Sequence, residues 1–177
     1  QVALPANAAA MLMIEVDGSR ESLSSAISAV SDAASGDGLV ELRQATDAVE
    51  IAALWATRKA LSPALRHIAS KKINEDVVVP VSRLPELIAG LDALAEKHQV
   101  HIVNFGHAGN GNMHTNLLGE PEDMERMHRC LDDVFDLVLS LDGTLSGEHG
   151  VGIEKRPFID REIPAASLDV MAELKRV

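Results

Sequence analysis

The sequence predicts an α+β fold with a mainly antiparallel sheet and helices packed on one face. Three observations carry that reading. Short apolar runs of strand length are mixed irregularly with stretches of helical periodicity, two consecutive strand runs are joined by a glycine-rich turn, and no self-similarity appears at the ~20–50-residue period of a repeat protein. The 177 residues, 46% of them hydrophobic and 24% charged, are enough for one buried core, and the expectation is a single domain over residues 1–177. Acidic side chains outnumber basic ones 27 to 16, for a net charge of -11. That charge repels phosphate backbones and anionic lipid, so nucleic acid and membrane surfaces are poor candidates as direct partners.

Element by element, Met11 to Val16 is an apolar run closed by the Asp17-Gly18 turn pair and reads as a strand. Ser19 can cap a helix whose inward positions are Leu23, Ala26, Ile27, Val30 and Ala33, ended by Gly36-Asp37-Gly38. Leu39 to Arg43 alternates like a half-buried strand. Thr46 then serves as N-cap for a helix with a small-residue face of Val49, Ala52, Ala53, Ala56 and Ala60, interrupted at Pro63. Ile73 to Val81 reads as a strand with Pro80 near its end. Ser82 opens a helix that turns Leu87, Ile88, Leu91, Leu94 and Ala95 inward and ends near His98.

From Val100 the order is strand, glycine-rich turn, strand, helix. Met124, Met127, Leu131, Val134 and Val138 step by three and four, so residues from Pro121 to Ser140 form a long amphipathic helix with the methionines as core filler. A loop from Asp142 to Pro157 precedes a last helix beginning near Pro164. The lone cysteine, Cys130, lies in the helical pattern and reads as a small buried hydrophobe. No apolar stretch approaches the ~20 residues that span a bilayer. The chain starts at Gln1 without an initiator Met or signal-peptide pattern, and the expectation is a piece of a longer polypeptide.

The chemistry concentrates in two glycine-rich stretches. The first runs His107-Ala108-Gly109-Asn110-Gly111-Asn112-Met113-His114. On one continuous strand, residues seven apart face opposite sides of the sheet. A reversal at Gly109 to Asn112 makes His107 and His114 cross-strand neighbours, with Cβ atoms about 5 Å apart and both rings in reach of one metal. The second is Ser146-Gly147-Glu148-His149-Gly150-Val151-Gly152, where small residues permit close approach while Glu148 and His149 project. Together they can supply two histidines and a glutamate with open coordination positions, as a catalytic metal site does. Spacing alone leaves open a plain turn flanked by polar residues. A phosphate loop at Gly109 and Gly111 is ruled against, because the third glycine and the helix start are missing. His67, His98, His101 and His128 receive no role, and His98 and His101 read as solvated.

These motifs, HAGNGNMH at 107–114 and GTLSGEHGVGIEKRPFI at 143–159, resemble the C-terminal domain of FAD-linked oxidases of the D-lactate dehydrogenase, glycolate oxidase subunit and D-2-hydroxyglutarate dehydrogenase group. The likeness extends through residues 54–65 and 73–80. It implies a ferredoxin-like arrangement and a flavin-dependent 2-hydroxy acid dehydrogenase, an oxidoreductase acting on CH–OH groups. By position, the resemblance makes His107, His114 and Glu148 ligands of a divalent metal, usually zinc, and His149 the general base. It makes Asn116 a substrate contact, Arg58 the grip on the substrate carboxylate, Ser62 a hydroxyl contact and Lys72 a further anion contact. Many relatives have Asp where this chain has Asn110, a departure close to the metal ligands. The family's N-terminal FAD-binding domain and terminal Asn-Pro-Gly tail are not in the sequence. The resemblance therefore implies FAD held mostly by that other domain, and a fragment inactive by itself. A small 2-hydroxy acid is the implied substrate. An electron acceptor and homo-oligomerisation are further implied partners, and the implied location is cytoplasmic, or peripheral to the inner membrane through the acceptor.

That chemistry is coherent. Metal coordination by hydroxyl and carboxylate oxygens lowers an alcohol's pKa, an imidazole accepts the proton near neutral pH, and an arginine clamps the carboxylate in two-pronged fashion. Two other readings stand beside it: a non-catalytic small-molecule-binding or oligomerisation module, and a zinc hydrolase, which lacks the expected His-Glu-x-x-His helix.

Overall fold

The computed structural model describes residues 4–176. They divide into two compact units, one ending at Ser62 and a larger one beginning at Pro63.

In the N-terminal unit, helix α1 (Arg20–Ala34) starts as expected. The Ser19 hydroxyl accepts from the Ser22 N–H at 3.3 Å and satisfies a donor that the helix cannot. Helix α2 (Ala48–Ala64) is capped one residue later than expected. The Asp47 carboxylate accepts from Val49 N and Glu50 N at 2.8 and 2.9 Å, and as an anion at a helix start it outcompetes the Thr46 hydroxyl. Pro63 falls in the last turn of α2, which passes into a 3-10 turn at Leu65–His67. No residue of α2 is buried, and Ala53 and Ala60 of its small-residue face are only partly covered.

The two strands expected at Met11–Val16 and Leu39–Arg43 do not form. An apolar run becomes a strand only where a neighbour completes its hydrogen-bond ladder, and no ladder among the described residues reaches either segment. Their side chains stay open to solvent, with Leu12 at 69% and Leu42 at 50% exposure.

The C-terminal unit holds the sheet. Strand β1 (Lys71–Val78), helix α3 (Leu84–His98), strands β2 (His101–His107) and β3 (Asn112–Gly119) and helix α4 (Met124–Ser140) follow in that order. The sheet order is β1-β3-β2, with β3 antiparallel to both neighbours. This is the split β-α-β of the ferredoxin-like arrangement. After α4 the chain returns to the free edge of β1, where the fourth strand of that arrangement belongs, but makes only one antiparallel bridge, Val78 to Thr144. There it leaves the sheet for the second glycine-rich stretch.

Boundaries differ from expectation in small, physical ways. β1 runs Lys71–Val78 where Ile73 to Val81 was expected, because Pro80 has no N–H for a ladder and Val79 bonds instead to the Gly111 carbonyl at 3.2 Å. Helices α3 and α4 are each entered through one 3-10 turn, Val81–Arg83 and Pro121–Asp123. Ahead of α4, Glu120 N donates to the Asp123 carboxylate at 2.9 Å in a capping box. Helix α5 (Ala165–Leu174) follows Pro164, as expected.

Alternation along the strands sorts the unit into two faces. Ile73, Val77, Ile102, Met113 and Leu117 pack with Leu87 and Leu91 of α3 and Met127, Val134, Phe135 and Val138 of α4. Met124 and Met127 are core filler, as expected. The opposite face carries Lys72, Asn74 and Asp76 from β1, Asn112, His114 and Asn116 from β3, and Phe105 and His107 from β2. Cys130 is fully buried in α4, and burial pushes its thiol up to about 11.

Two measurements check this architecture. Gly111 sits at φ +78, and a Cβ there would stand 1.9 Å from the Val79 carbonyl oxygen. Gly111→Ala should therefore cost about 2 kcal/mol or more in denaturant unfolding; a change within ~0.5 kcal/mol contradicts the turn described. Cys130 should resist thiol reagents at neutral pH until denaturant is added, and labelling at the rate of a free thiol in the native chain contradicts its burial.

Candidate metal and proton-transfer site

Between β2 and β3 the chain reverses through a 3-10 turn at Ala108–Asn110 and a left-handed Gly111. The Asn110 side chain steadies the turn by accepting from Asn112 N at 3.1 Å. The reversal is one residue earlier than expected. His107 is therefore opposite Asn112, and His114 is opposite Phe105, so the histidines are diagonal neighbours rather than a direct pair. Both remain on one face, and their ring centroids are 5.8 Å apart in edge-on geometry. Diagonal positions are still in reach of each other for long or aromatic side chains.

Glu148 and His149 arrive from the second glycine-rich stretch. Glu148 Oε1 lies 3.2 Å from His114 Nε2, and the His149 ring stacks 5.3 Å from that of His114. One ligand atom each from His107, His114 and Glu148 lie within 4.8 Å of one another. His114 is 8% exposed, whereas His107, Glu148 and His149 are open to solvent. Burial holds the His114 imidazole below the usual histidine range, opposed by the Glu148 carboxylate and reinforced by the two other histidines. A neutral ring keeps its lone pair for a metal. Two imidazoles and a carboxylate, half shielded and converging, fit a divalent ion with room for further ligands.

Sequence reasoning missed the group on which this arrangement stands. Asp76, fully buried on β1 and opposite His114, accepts from the backbone N–H groups of Gly147, Glu148 and His149. Its other oxygen pairs with the Lys155 ammonium and lies 3.4 Å from His149 Nδ1. Burial pushes the Asp76 carboxyl up, but Lys155 and the amides of His149 and Glu148 outweigh it and hold the group well below the carboxylate range. Its neighbour Glu75 goes the other way: burial raises it against the pull of Lys155. The available signal was an acid pair inside a run of strand residues, since charges are seldom buried without a partner.

Asn116 is fully buried on the site face, one pleat from His114. It donates to the carbonyls of Val103 and His114 at 3.0 Å each and accepts from Asn74 at 2.9 Å, so its amide is engaged within the sheet. Lys72 shares the face but lies four residues from Asp76 along β1, about 13 Å away. Arg58 and Ser62 are one turn apart on the same side of α2, and both belong to the N-terminal unit. His98 is not solvated as expected. Its Nε2 lies 2.6 Å from Asp133, which also accepts from Lys97.

The family "FAD linked oxidases, C-terminal domain" matches residues 1–177. The chain belongs to this family. As an FAD-linked oxidase C-terminal domain it is 31% identical to the glycolate oxidase subunit GlcD of Bacillus subtilis (strain 168), over 99% of this chain and 38% of that protein. It is 31% identical to a probable mitochondrial D-lactate dehydrogenase of Danio rerio over 93% of this chain and 34% of the relative. To a D-2-hydroxyglutarate dehydrogenase of Stutzerimonas stutzeri (strain A1501) it is 33% identical, over 70% of this chain and 28% of the relative. The chain thus spans well under half the length of these relatives. No helix among the described residues is long and apolar enough to cross a membrane.

The lowered His114 gives a pH prediction with a definite sign. A histidine that binds its proton less tightly in the folded state supports stability above about pH 6.5, and that support is lost as pH falls through the lower folded value. Nuclear magnetic resonance titration should place the His114 midpoint below 6.5, and His114→Asn should flatten the stability profile in that window. A midpoint above 6.5 contradicts the environment described.

Proposed function

We propose that the chain is the substrate- and metal-binding domain of a flavin-dependent 2-hydroxy acid dehydrogenase of the D-lactate, glycolate or D-2-hydroxyglutarate type. It acts with an N-terminal FAD-binding domain of the same polypeptide to oxidise the hydroxy acid to a 2-oxo acid. The observation that carries the reading is the convergence of His107, His114 and Glu148 on one sheet face with His149 beside them.

In this reading His107, His114 and Glu148 hold a divalent metal, with zinc matching the nitrogen and oxygen donors. Such an ion, when bound, supplies a Lewis acid that makes a nearby hydroxyl more acidic. His149 has Nδ1 toward Asp76, which leaves Nε2 to take the hydroxyl proton. By the family resemblance, Arg58 is assigned to the substrate carboxylate through a charge-assisted pair of hydrogen bonds, and Ser62 and Lys72 to a hydroxyl and an ammonium contact. Asn116 forms the floor of the substrate site and steadies Asn74 and the His114 carbonyl, which its amide reaches. FAD, held mostly by the other domain, would supply the acceptor for the hydride lost from the α-carbon, while His149 takes the hydroxyl proton, so the two hydrogens removed account for the new C=O bond. The glycines of 109–111 join two strands instead of opening a helix, so they offer no dinucleotide cradle and no residue here is assigned to FAD. The relatives' names motivate the hydroxy acid class.

The test is metal binding together with kinetics. The chain prepared without chelator should hold about one divalent ion, lost in His114→Ala, and an absence of binding after zinc addition contradicts the reading. In the flavin-containing enzyme that carries this domain, assayed with a dye acceptor, His149→Ala should lower kcat by about 10²- to 10⁴-fold. Arg58→Ala should instead act mainly by raising KM, roughly 10- to 100-fold. The reverse pattern contradicts the roles assigned.

A further inference from the structure

Residues 147–149 belong to no helix or strand, yet two of the groups that define the site project from them. Their backbone is tied down at one place. Asp76 Oδ2 accepts the N–H of Gly147 at 2.9 Å, of Glu148 at 2.5 Å and of His149 at 2.9 Å. Among the described residues these N–H groups make no other hydrogen bond. Successive N–H groups that curl around an anion form a nest, and here the anion is the protein's own carboxylate, supplied from β1. Close packing supports the same contact. A Cβ on Gly147 would lie 2.7 Å from Val78 Cγ2 and 2.8 Å from Asn112 Cγ, so the loop lies directly on the sheet.

A buried carboxylate needs a counter-charge, and Lys155 provides it. Lys155 is 2% exposed, its Nζ bonds both Asp76 Oδ1 and the Asp76 carbonyl oxygen, and it stands 3.4 Å from Glu75. The lysine comes from the chain just beyond the glycine-rich stretch, so β1 grips that stretch at two points. The carboxylate oxygen that pairs with Lys155 is also the one 3.4 Å from His149 Nδ1. His149 thus stands between two carboxylates, with Nδ1 3.4 Å from Asp76 and Nε2 3.8 Å from Glu148 Oε1, and the nearer and buried one favours the tautomer with hydrogen on Nδ1 and leaves Nε2 as the acceptor.

We propose that Asp76, neutralised by Lys155, is the positioning residue of this site: it holds Glu148 and His149 against the histidine pair and selects the nitrogen of His149 that accepts a proton. The inference rests on the functional reading above and adds to it a residue that touches neither metal nor substrate. It predicts that removing a charge one step behind the ligands loosens metal binding without dismantling the fold.

The experiment uses the chain itself, with Zn²⁺ alone as the probe. Zinc affinity is read by competition with a chromophoric chelator, and the Gly147, Glu148 and His149 amides by hydrogen exchange and ¹H–¹⁵N spectra. In the wild-type chain without metal those amides should be exchange-protected; unprotected amides overturn the inference. Asp76→Asn should weaken zinc binding about 10- to 100-fold with the far-ultraviolet spectrum unchanged, and should lose the amide protection and the Nδ1–H tautomer of His149. Leu91→Ala, a core change away from the site, should lower stability and leave zinc affinity and tautomer as they were. Wild-type zinc affinity in Asp76→Asn overturns the inference and leaves the functional reading intact. A wild-type chain that binds no zinc, but loses amide protection and tautomer in the variant, overturns the functional reading and supports the positioning role. Should Asp76→Asn fail to fold, Lys155→Met, which keeps the carboxylate, is read in its place: about tenfold weaker zinc binding supports the inference and unchanged binding overturns it.

Discussion

The parity of one hairpin decides whether this domain has a site at all. Four residues, 108–111, separate β2 from β3, which sets His107 opposite Asn112 and brings His114 to the same face one pleat further on. Side chains alternate along a strand, so a slip of one residue would carry His114 into the helix-covered core and bring an apolar residue to the surface in its place. Gly111 fixes the count by adopting a left-handed conformation against the Val79 carbonyl, where a side chain has no space. The same register places Asp76 opposite His114. The proposed metal ligands and the loop anchor are therefore placed by a single alignment of three strands.

The sheet also separates two tasks. One face is sealed by α3 and α4 around Leu87, Leu91, Phe135 and Val138, and supplies the rigidity on which precise side-chain placement depends. The opposite face carries the polar groups and, apart from the Asn112 Oδ1, satisfies the buried ones: Asn116 with two carbonyls and Asn74, Asp76 with Lys155 and the loop amides. A polar face is stable in this form because almost every buried donor and acceptor on it has a protein partner. Where the ferredoxin-like pattern would add a fourth strand, the chain makes one bridge at Thr144 and gives up the rest of the ladder to the glycine-rich stretch. An edge that would ordinarily pair with a strand instead carries the stretch with Glu148 and His149.

Much of this was legible in the sequence, and the parts that were not share a cause. The helices at 20–34, 84–98 and 124–140 declare themselves by apolar periodicity, which is local, and the histidine motif declares its hairpin by the glycines between. Met11–Val16 and Leu39–Arg43 have strand composition but no ladder partner among the described residues, and composition cannot supply one. Asp47 displaced Thr46 as a cap because a charged acceptor at a helix start gains from the helix dipole. The links of Asp76 to Glu148 and Lys155 span more than seventy residues, and those of His98 to Asp133 span thirty-five, so no window of sequence contains both partners. The motif residues were visible, whereas the residue that holds them in place was not.

The most direct test of the account is the coordination shell of zinc in the loaded chain, read by X-ray absorption at the metal edge. The account predicts two imidazole nitrogens and a carboxylate oxygen at about 2.0–2.2 Å, with the remaining position filled by water, and loss of one imidazole contribution in His107→Ala. A shell without histidine scattering, or one containing the Cys130 sulfur, would contradict it.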